Sequence, residues 1–463
     1  MASYSEQAAQ WIAGLKFSDL PADVVASTKL RVLDVIGLAL AASVTPLGRS
    51  VRDAALTMGA GDDARILGHG DHVPAMQAAL ANGTMAQALE YDDTHNETII
   101  HISSPMVATA LAVGEATSAS GEQMIAAVAG GNELTCRIGL VAPQQFHKVG
   151  FHPSGVIGTF GTAYTAGKLL GLNVEQLRNA AGIAGSQASG ILACWEDGTQ
   201  SKFLHPGWSA LSGIAAALLA RAGYTGPAPV FESRFGLFAS HVQDKNYKLD
   251  FSRMLANLGS TWESRNTSFK PYPTAHVVHS FLDAILYLHR NEGLRAEHVD
   301  KIVCPIADYM IPVVCEPVAE KVAPTSDSHG RVSLQYSLAE ALVRGKLGVD
   351  GYSEVSLRDP HVLALTRKVS YAVDKDAPGR GQYQGWVIVH TKDGRKLERI
   401  EPYNRGSAEN PMSADDVRAK FRENAGRALN AKSINAIIAR IDQLEREPVI
   451  GALIDLCVRE SPR

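Results

Sequence analysis

Apolar residues in the first half of the chain recur three and four positions apart and are interrupted by Gly, Pro and Asn. This predicts successive helices from Glu6 to about Ala222, with almost no strand signal. Several of these helices are rich in small residues, as in AALANGTMAQALE (78–90) and VATALAVGEATSASGEQMIAAVAGG (107–131). Small side chains let helix backbones approach closely, and helices that are apolar on more than one side are buried on more than one side. A many-helix globule with a buried centre is the expectation. The pattern changes near Ser268. VDKIVCPI (299–306) reads as a strand, and GWVIVHT (385–391) with KLERIEP (396–402) reads as a hairpin, because the Asp-Gly pair in the KDGR joining them is a turn signal. Two helical segments lie among the strands, TAHVVHSFLDAILYLHR (274–290) and SLQYSLAEALVRG (333–345). From Ser413 to Val458 the helical pattern returns, opening on a Ser cap with Asp in the first turn. The predicted fold class is mainly α. A large all-helical domain comes from both chain ends (1–267 and 403–463) and encloses a smaller α+β lid domain (268–402). A cleft between two such domains is a usual place for a small ligand.

Composition narrows the function classes. The 463 residues are 46% hydrophobic and 20% charged, with a formal net charge of -4 and no dense Lys/Arg run. That balance offers nucleic acid and anionic membrane nothing to hold, so neither is an expected partner. The cysteines Cys136, Cys194, Cys304, Cys315 and Cys457 are scattered, with no C-x-x-C spacing, and read as structural thiols in a reducing compartment. Residues 1–13 lack the basic start and apolar run of a signal peptide. The longest apolar run, Val32 to Val44, is broken by Asp34 and is shorter than the roughly 20 residues of a membrane span. A cytoplasmic location is expected.

Four stretches could carry chemistry. The first, ALEYDDTHNETIIHISSP, gathers Glu90, Asp92, Asp93, Thr94, His95 and His101 at the end of an apolar helix. Three readings stay open for it: a solvated helix end with a capping box, an acid-base site, or a metal site, the last matching no standard ligand spacing. The second places His152 and Ser154 just before a helix beginning about Gly155, where free backbone N–H groups suit a substrate carboxylate. Its glycines follow no strand and are not spaced for a nucleotide loop, so they read as close helix packing. The third, GTQSKFLHPGWSA, carries Lys202 and His205. In the fourth, Lys270 precedes a Pro-Tyr-Pro bend, and His276 and His279 follow on one helix face. No G-x-S-x-G elbow, Walker loop or Cys-His pairing accompanies them. Lysines can hold carboxylates while a neutral His takes a proton, and removing a proton beside a carboxylate gives a dianion that needs such cations. The inventory suits that chemistry better than acyl or phosphoryl transfer.

Taken in order, LEYDDTH with the later His101-Ile102-Ser103, GFHPSGVIGTFG, KFLHPGWSA, KPYP followed by His279 and FLDA, and SLQYSLAEALVRG after Val322-Ala-Pro-Thr resemble the MmgE/PrpD family. That family includes 2-methylcitrate dehydratase, cis-aconitate decarboxylase and iminodisuccinate epimerase. The resemblance implies a homodimer without a cofactor or metal, acting on a small polycarboxylate. It implies pocket roles for Asp93, Thr94, His101, His152, Lys202, Lys270 and the histidines after it. On that basis His152 is the leading proton-transfer residue, Lys202 and Lys270 clamp carboxylates, and Asp93 orients a partner or supplies acid. His101 and His279 join the catalytic group. Glu90, Ser154, His276 and, on the lid side, Tyr309 join Thr94 in binding substrate.

The chain differs from the decarboxylase branch in three places. Glu90 stands where that branch has aspartate, the interval from Thr94 to His101 is one residue longer, and Ala275 with His276 beside it occupies the place of a histidine. The expected function is therefore a lyase that dehydrates a citrate-like acid. An epimerase, a decarboxylase and a catalytically silent binding module are the alternatives.

Overall fold

The computed structural model describes residues 2–459. It is mainly α with a few small sheets. The first half is built from helices, the longest being Ala22–Ser43, Gly121–Leu140 and Ser201–Arg221. Strand there is limited to two-residue pieces, Ala64–Arg65, His72–Val73 and Thr94–His95. Every residue from Gln77 to Gln87 and from Ser103 to Gly114 is buried, which is the all-round burial that the small-residue pattern predicts. Glycines make the packing possible. A Cβ on Gly207 would sit 2.2 Å from the Leu80 carbonyl oxygen, and one on Gly83 would sit 2.9 Å from the Gly207 Cα, so helices Ala75–Gln87 and Ser201–Arg221 touch backbone to backbone.

Most buried apolar side chains fall into two clusters. The larger runs from Ala8 to Trp262 and is completed by Phe421 to Cys457 from the far end of the chain. The other holds residues from Tyr272 to Val389. Its four-stranded sheet has the order Val369–Val373, Val299–Ile306, Gly385–Thr391, Lys396–Glu401. The last two strands pair antiparallel as the expected hairpin, with Gly385 opposite Glu401 and His390 opposite Lys396. The edge strand Val369–Val373, parallel to Val299–Ile306, is absent from the sequence reading. Three of its five residues are exposed, so it lacks the apolar alternation that would mark it. All five cysteines are buried and free.

The helix Ser201–Arg221 is long and apolar enough to cross a membrane, which differs from the sequence expectation, and 67% of its apolar window is buried. No uninterrupted apolar run marks it, because His205 and Ser209 break the helix while its average stays apolar.

Candidate active site

A cavity of about 310 Å³ lies where side chains of the two clusters meet. From the helical first half it takes Glu90, Thr94, His101, His152 and Lys202. Lys270, His276 and Tyr309 line the other side. Three sequence candidates, Asp93, Ser154 and His279, lie behind this wall. A larger outer cavity of about 570 Å³ adjoins it, sharing Glu90, Trp195 and Lys202.

The floor is the segment after helix Ala75–Gln87. Glu90, Asp92, Asp93, Thr94, His95 and His101 are all buried, which rules out the solvated-helix-end reading. The turn is made at Glu90, whose φ of 51° lies in the left-handed region, and its N–H donates to the Gln87 carbonyl at 2.9 Å. A two-residue antiparallel ladder, Thr94 opposite Ser268 and His95 opposite Thr267, ties this segment to the one bearing Lys270. The Glu90 carboxylate pairs closely with the Lys202 ammonium, while Lys270 Nζ is 3.7 Å from Glu90 Oε2 and donates to the Glu90 carbonyl at 3.1 Å. Burial would raise the Glu90 pKa, but the two lysines and His101 outweigh it and hold it at about 2.

Asp93 is fully engaged by Arg31 and by the hydroxyl and N–H of Ser103. Its carboxylate is thus not available to a ligand, but its carbonyl accepts from His101 Nδ1 at 2.9 Å. A carbonyl oxygen can only accept, so Nδ1 carries the proton and Nε2 is left with the lone pair. Burial, then Lys270 and Lys202, push the His101 imidazolium well below its ordinary pKa. His101 is therefore a neutral base of fixed tautomer. Ser154, expected to bind substrate, instead accepts the His101 N–H at 2.9 Å through its hydroxyl. The helix expected near Gly155 begins at Pro153 as a single turn and resumes at Gly158. Asp92 receives the Ser104 hydroxyl at 2.8 Å, and its other oxygen lies 3.5 Å from His101 Nδ1. Burial raises its pKa against the pull of Lys270.

His152 Nδ1 faces His205 Nδ1 at 2.9 Å, so one ring donates and the other accepts. Burial keeps both neutral, His205 at about 4. His276 Nε2 donates to the Asn96 side-chain oxygen at 3.1 Å, and its Nδ1 is buried without a partner. His279 donates to the Thr274 carbonyl at 3.2 Å and packs between His276 and Tyr272. The Tyr309 hydroxyl is buried without a hydrogen-bond partner, and burial pushes its pKa to about 12, so it keeps its proton.

Sequence reasoning missed Gln144, His147, Trp195, Arg380 and Tyr383, all of which line the cavity. His147 stacks on Trp195 at 6.4 Å, and burial with Lys202 and Arg380 nearby holds its pKa at about 3. Arg380 and Tyr383 come from the loop PGRGQYQG (378–385). Its one signal is an arginine between glycines, with Gly381 at φ 103°. Glu90, Ile99 and Gln144, all on the cavity wall, are non-glycine residues with positive φ, a backbone cost of roughly 1 to 3 kcal/mol each. Neighbouring contacts hold them: Gln144, for example, donates to the Glu97 carbonyl at 3.0 Å. Among the described residues, no three His, Cys, Asp or Glu side chains are grouped to hold a metal ion.

The chain is similar to the cis-aconitate decarboxylase of Aspergillus terreus (strain NIH 2624 / FGSC A1156), 28% identical over 98% of this chain and 96% of that protein. It is 27% identical to the cis-aconitate decarboxylase of Mus musculus (96% of this chain, 91% of the relative) and to that of Homo sapiens (99% and 95%). The MmgE/PrpD N-terminal domain matches residues 6–250, and the MmgE/PrpD C-terminal domain matches residues 272–444, running past the point where Phe421 rejoins the first core. With nearly its whole length matched by these two domains, the chain belongs to the MmgE/PrpD family.

Proposed function

We propose that this protein is a lyase that removes a proton from the carbon next to a carboxylate of a small, citrate-like polycarboxylic acid and expels water, without a cofactor. The observation that carries the proposal is the tautomer of His101. Its proton is fixed on Nδ1 by the Asp93 carbonyl, which leaves a neutral Nε2 lone pair for the cavity. Against the single Glu90 carboxylate stand Lys202, Lys270 and Arg380, so the lining favours an acid with two or more carboxylates. In this reading His101 Nε2 takes the α-proton. The lysines hold the carboxylate that becomes dianionic, and the leaving hydroxyl departs as water with a proton from Tyr309 or the His152–His205 pair. His152, first expected to lead the proton transfer, becomes the supporting donor, because nothing fixes its tautomer as the carbonyl fixes that of His101.

A second reading, loss of carbon dioxide with protonation of the remaining carbon, is favoured by the names of the relatives. Reprotonation on the opposite face would make the same site an epimerase. The division into a helical domain and an α+β lid belongs to the proposal, supported by the two apolar clusters. So does a homodimer, for which Leu204, Trp208 and Leu219, exposed along one side of helix Ser201–Arg221, offer an apolar face.

The test is to incubate the purified protein with 2-methylcitrate, citrate, cis-aconitate and iminodisuccinate in deuterated water and record proton NMR spectra. Loss of water to the alkene, with deuterium entering the carbon beside a carboxylate as the step reverses, is the expected result. Evolution of carbon dioxide selects the second reading, and inversion without loss selects the epimerase. Neither exchange nor product with any of the four, in a folded protein, goes against this proposal and favours a silent binding module or an unrelated substrate.

A further inference from the structure

Four cationic side chains line the inner cavity: Lys148, Lys202, Lys270 and Arg380. Lys148 pairs with Asp244 at 3.1 Å, and Lys202 and Lys270 share Glu90. Of these four, Arg380 alone has no carboxylate partner among the described residues. Its one protein acceptor is the Gln144 side-chain oxygen at 3.2 Å, and its guanidinium lies 5.0 Å from the centre of the Tyr309 ring. A guanidinium offers five N–H donors in a planar fork, so most of its hydrogen-bonding capacity is unused.

The loop that carries it is firmly seated. Tyr383 is buried, donates to the Asn96 carbonyl at 2.9 Å and packs edge-on against His276 at 4.8 Å. Gly381 turns the loop at φ 103°, a conformation that side chains rarely adopt, within van der Waals reach of Glu97 on the other wall. Arg380 is exposed and so stands at the rim of the cavity, while Lys270 and Glu90 are buried and Lys202 is half-buried beside Glu90, deeper in it.

Building on the polycarboxylate reading above, we propose that Arg380 determines specificity, gripping in bidentate fashion a second carboxylate of the bound acid, at the end away from the lysines. Guanidinium and carboxylate match as parallel forks, and Tyr309 beneath the guanidinium fixes its plane. The site thereby selects acids whose carboxylates are far enough apart to reach both floor and rim. Short dicarboxylates engage only the floor.

The test uses the full chain and two unreactive probes, propane-1,2,3-tricarboxylate and succinate, titrated by calorimetry into the wild type and the variants Arg380→Gln, Arg380→Lys and Lys375→Gln. The wild type is expected to prefer the tricarboxylate. Arg380→Gln is expected to weaken tricarboxylate binding about 10-fold to 100-fold, the range for a lost charge-assisted pair, and to leave succinate within about twofold, removing the preference. Arg380→Lys should recover only part, because an ammonium has no planar fork. Lys375→Gln, an exposed charge in the same connection, should change nothing. The proposal is overturned if Arg380→Gln keeps the wild-type preference, or if Lys375→Gln has the same effect, which would make it a matter of general charge. If the wild type binds neither probe, the polycarboxylate reading itself is overturned along with the clamp.

Discussion

Replacing Glu90 by glutamine keeps the side chain's shape and removes the one carboxylate that Lys202 and Lys270 share. Holding a carboxyl at about 2, where its ordinary value is 4.5, is worth about 3 kcal/mol at roughly 1.4 kcal/mol for each tenfold change in proton affinity. Glu90 is buried, so solvent does little to reduce that figure. A carboxyl held low contributes its full stability above its ordinary value of 4.5 and loses it progressively as the pH falls from there to about 2. Glu90→Gln is therefore expected to lower the unfolding free energy by about 3 kcal/mol, equally at pH 6, 7 and 8, measured by urea denaturation. The two lysines would then face the cavity with no internal anion, and an added tricarboxylate would supply one. Propane-1,2,3-tricarboxylate should accordingly stabilise the variant more than the wild type, so the gap between them narrows as ligand is added. A loss under about 1 kcal/mol, or a ligand that stabilises the wild type more, would refute the account of Glu90 as the charge that balances the floor.

Replacement of His101 by alanine should slow solvent deuterium exchange into substrate about 100-fold to 10,000-fold. Because burial and then Lys270 and Lys202 hold the His101 imidazolium well below its ordinary value of 6.5, the side chain stays deprotonated as the pH falls, so the acid limb of the kcat/KM profile should lie below that of an ordinary histidine. Lys420 is buried 2.8 Å from Asp34 Oδ1, and Lys420→Met should cost about 3 to 5 kcal/mol at pH 7 in urea unfolding. Burial already raises the Asp34 pKa, and a carboxyl raised in the fold destabilises it increasingly as the pH climbs. The Lys420→Met deficit should thus shrink between pH 7 and pH 5, and adding Asp34→Asn should recover most of it. Gly207→Ala forces a methyl against the Leu80 carbonyl and should cost about 1 to 3 kcal/mol, read from the urea midpoint.

The helical first half was legible because its signal is local: small and apolar residues at helical spacing report burial whatever they pack against. The hairpin was legible for the same reason, since Asp-Gly specifies its own turn. Val369–Val373 was not, because its place comes from a parallel partner distant in sequence and its own side chains are mostly exposed. At the site, eight of the eleven candidate side chains line the cavity, and all of these but Tyr309 come from the four stretches singled out for chemistry. What sequence could not give is which atom of a side chain is already engaged. Asp93 and Ser154 look like ligands for a substrate until Arg31, Ser103 and the His101 N–H are seen to use them. The tautomer of His101, too, is set by a backbone carbonyl, which no residue name records. Arg380 and His147 were illegible because their importance lies in what stands across the cavity from them.

Lys420 reaches back from the helix Ala414–Ala425 to Asp34 and to the Tyr91 carbonyl, one residue from Glu90. A ribosome delivers that ammonium 386 residues after Asp34 and 329 residues after Tyr91. Until then Asp34 has no counterion inside the forming core, and the stretch that will hold Glu90 is unanchored on one side. Contacts this distant along the chain slow folding. A nascent polypeptide that stops short of residue 413 would carry every residue that lines the inner cavity and still lack the ammonium that joins Asp34 to the Tyr91 carbonyl.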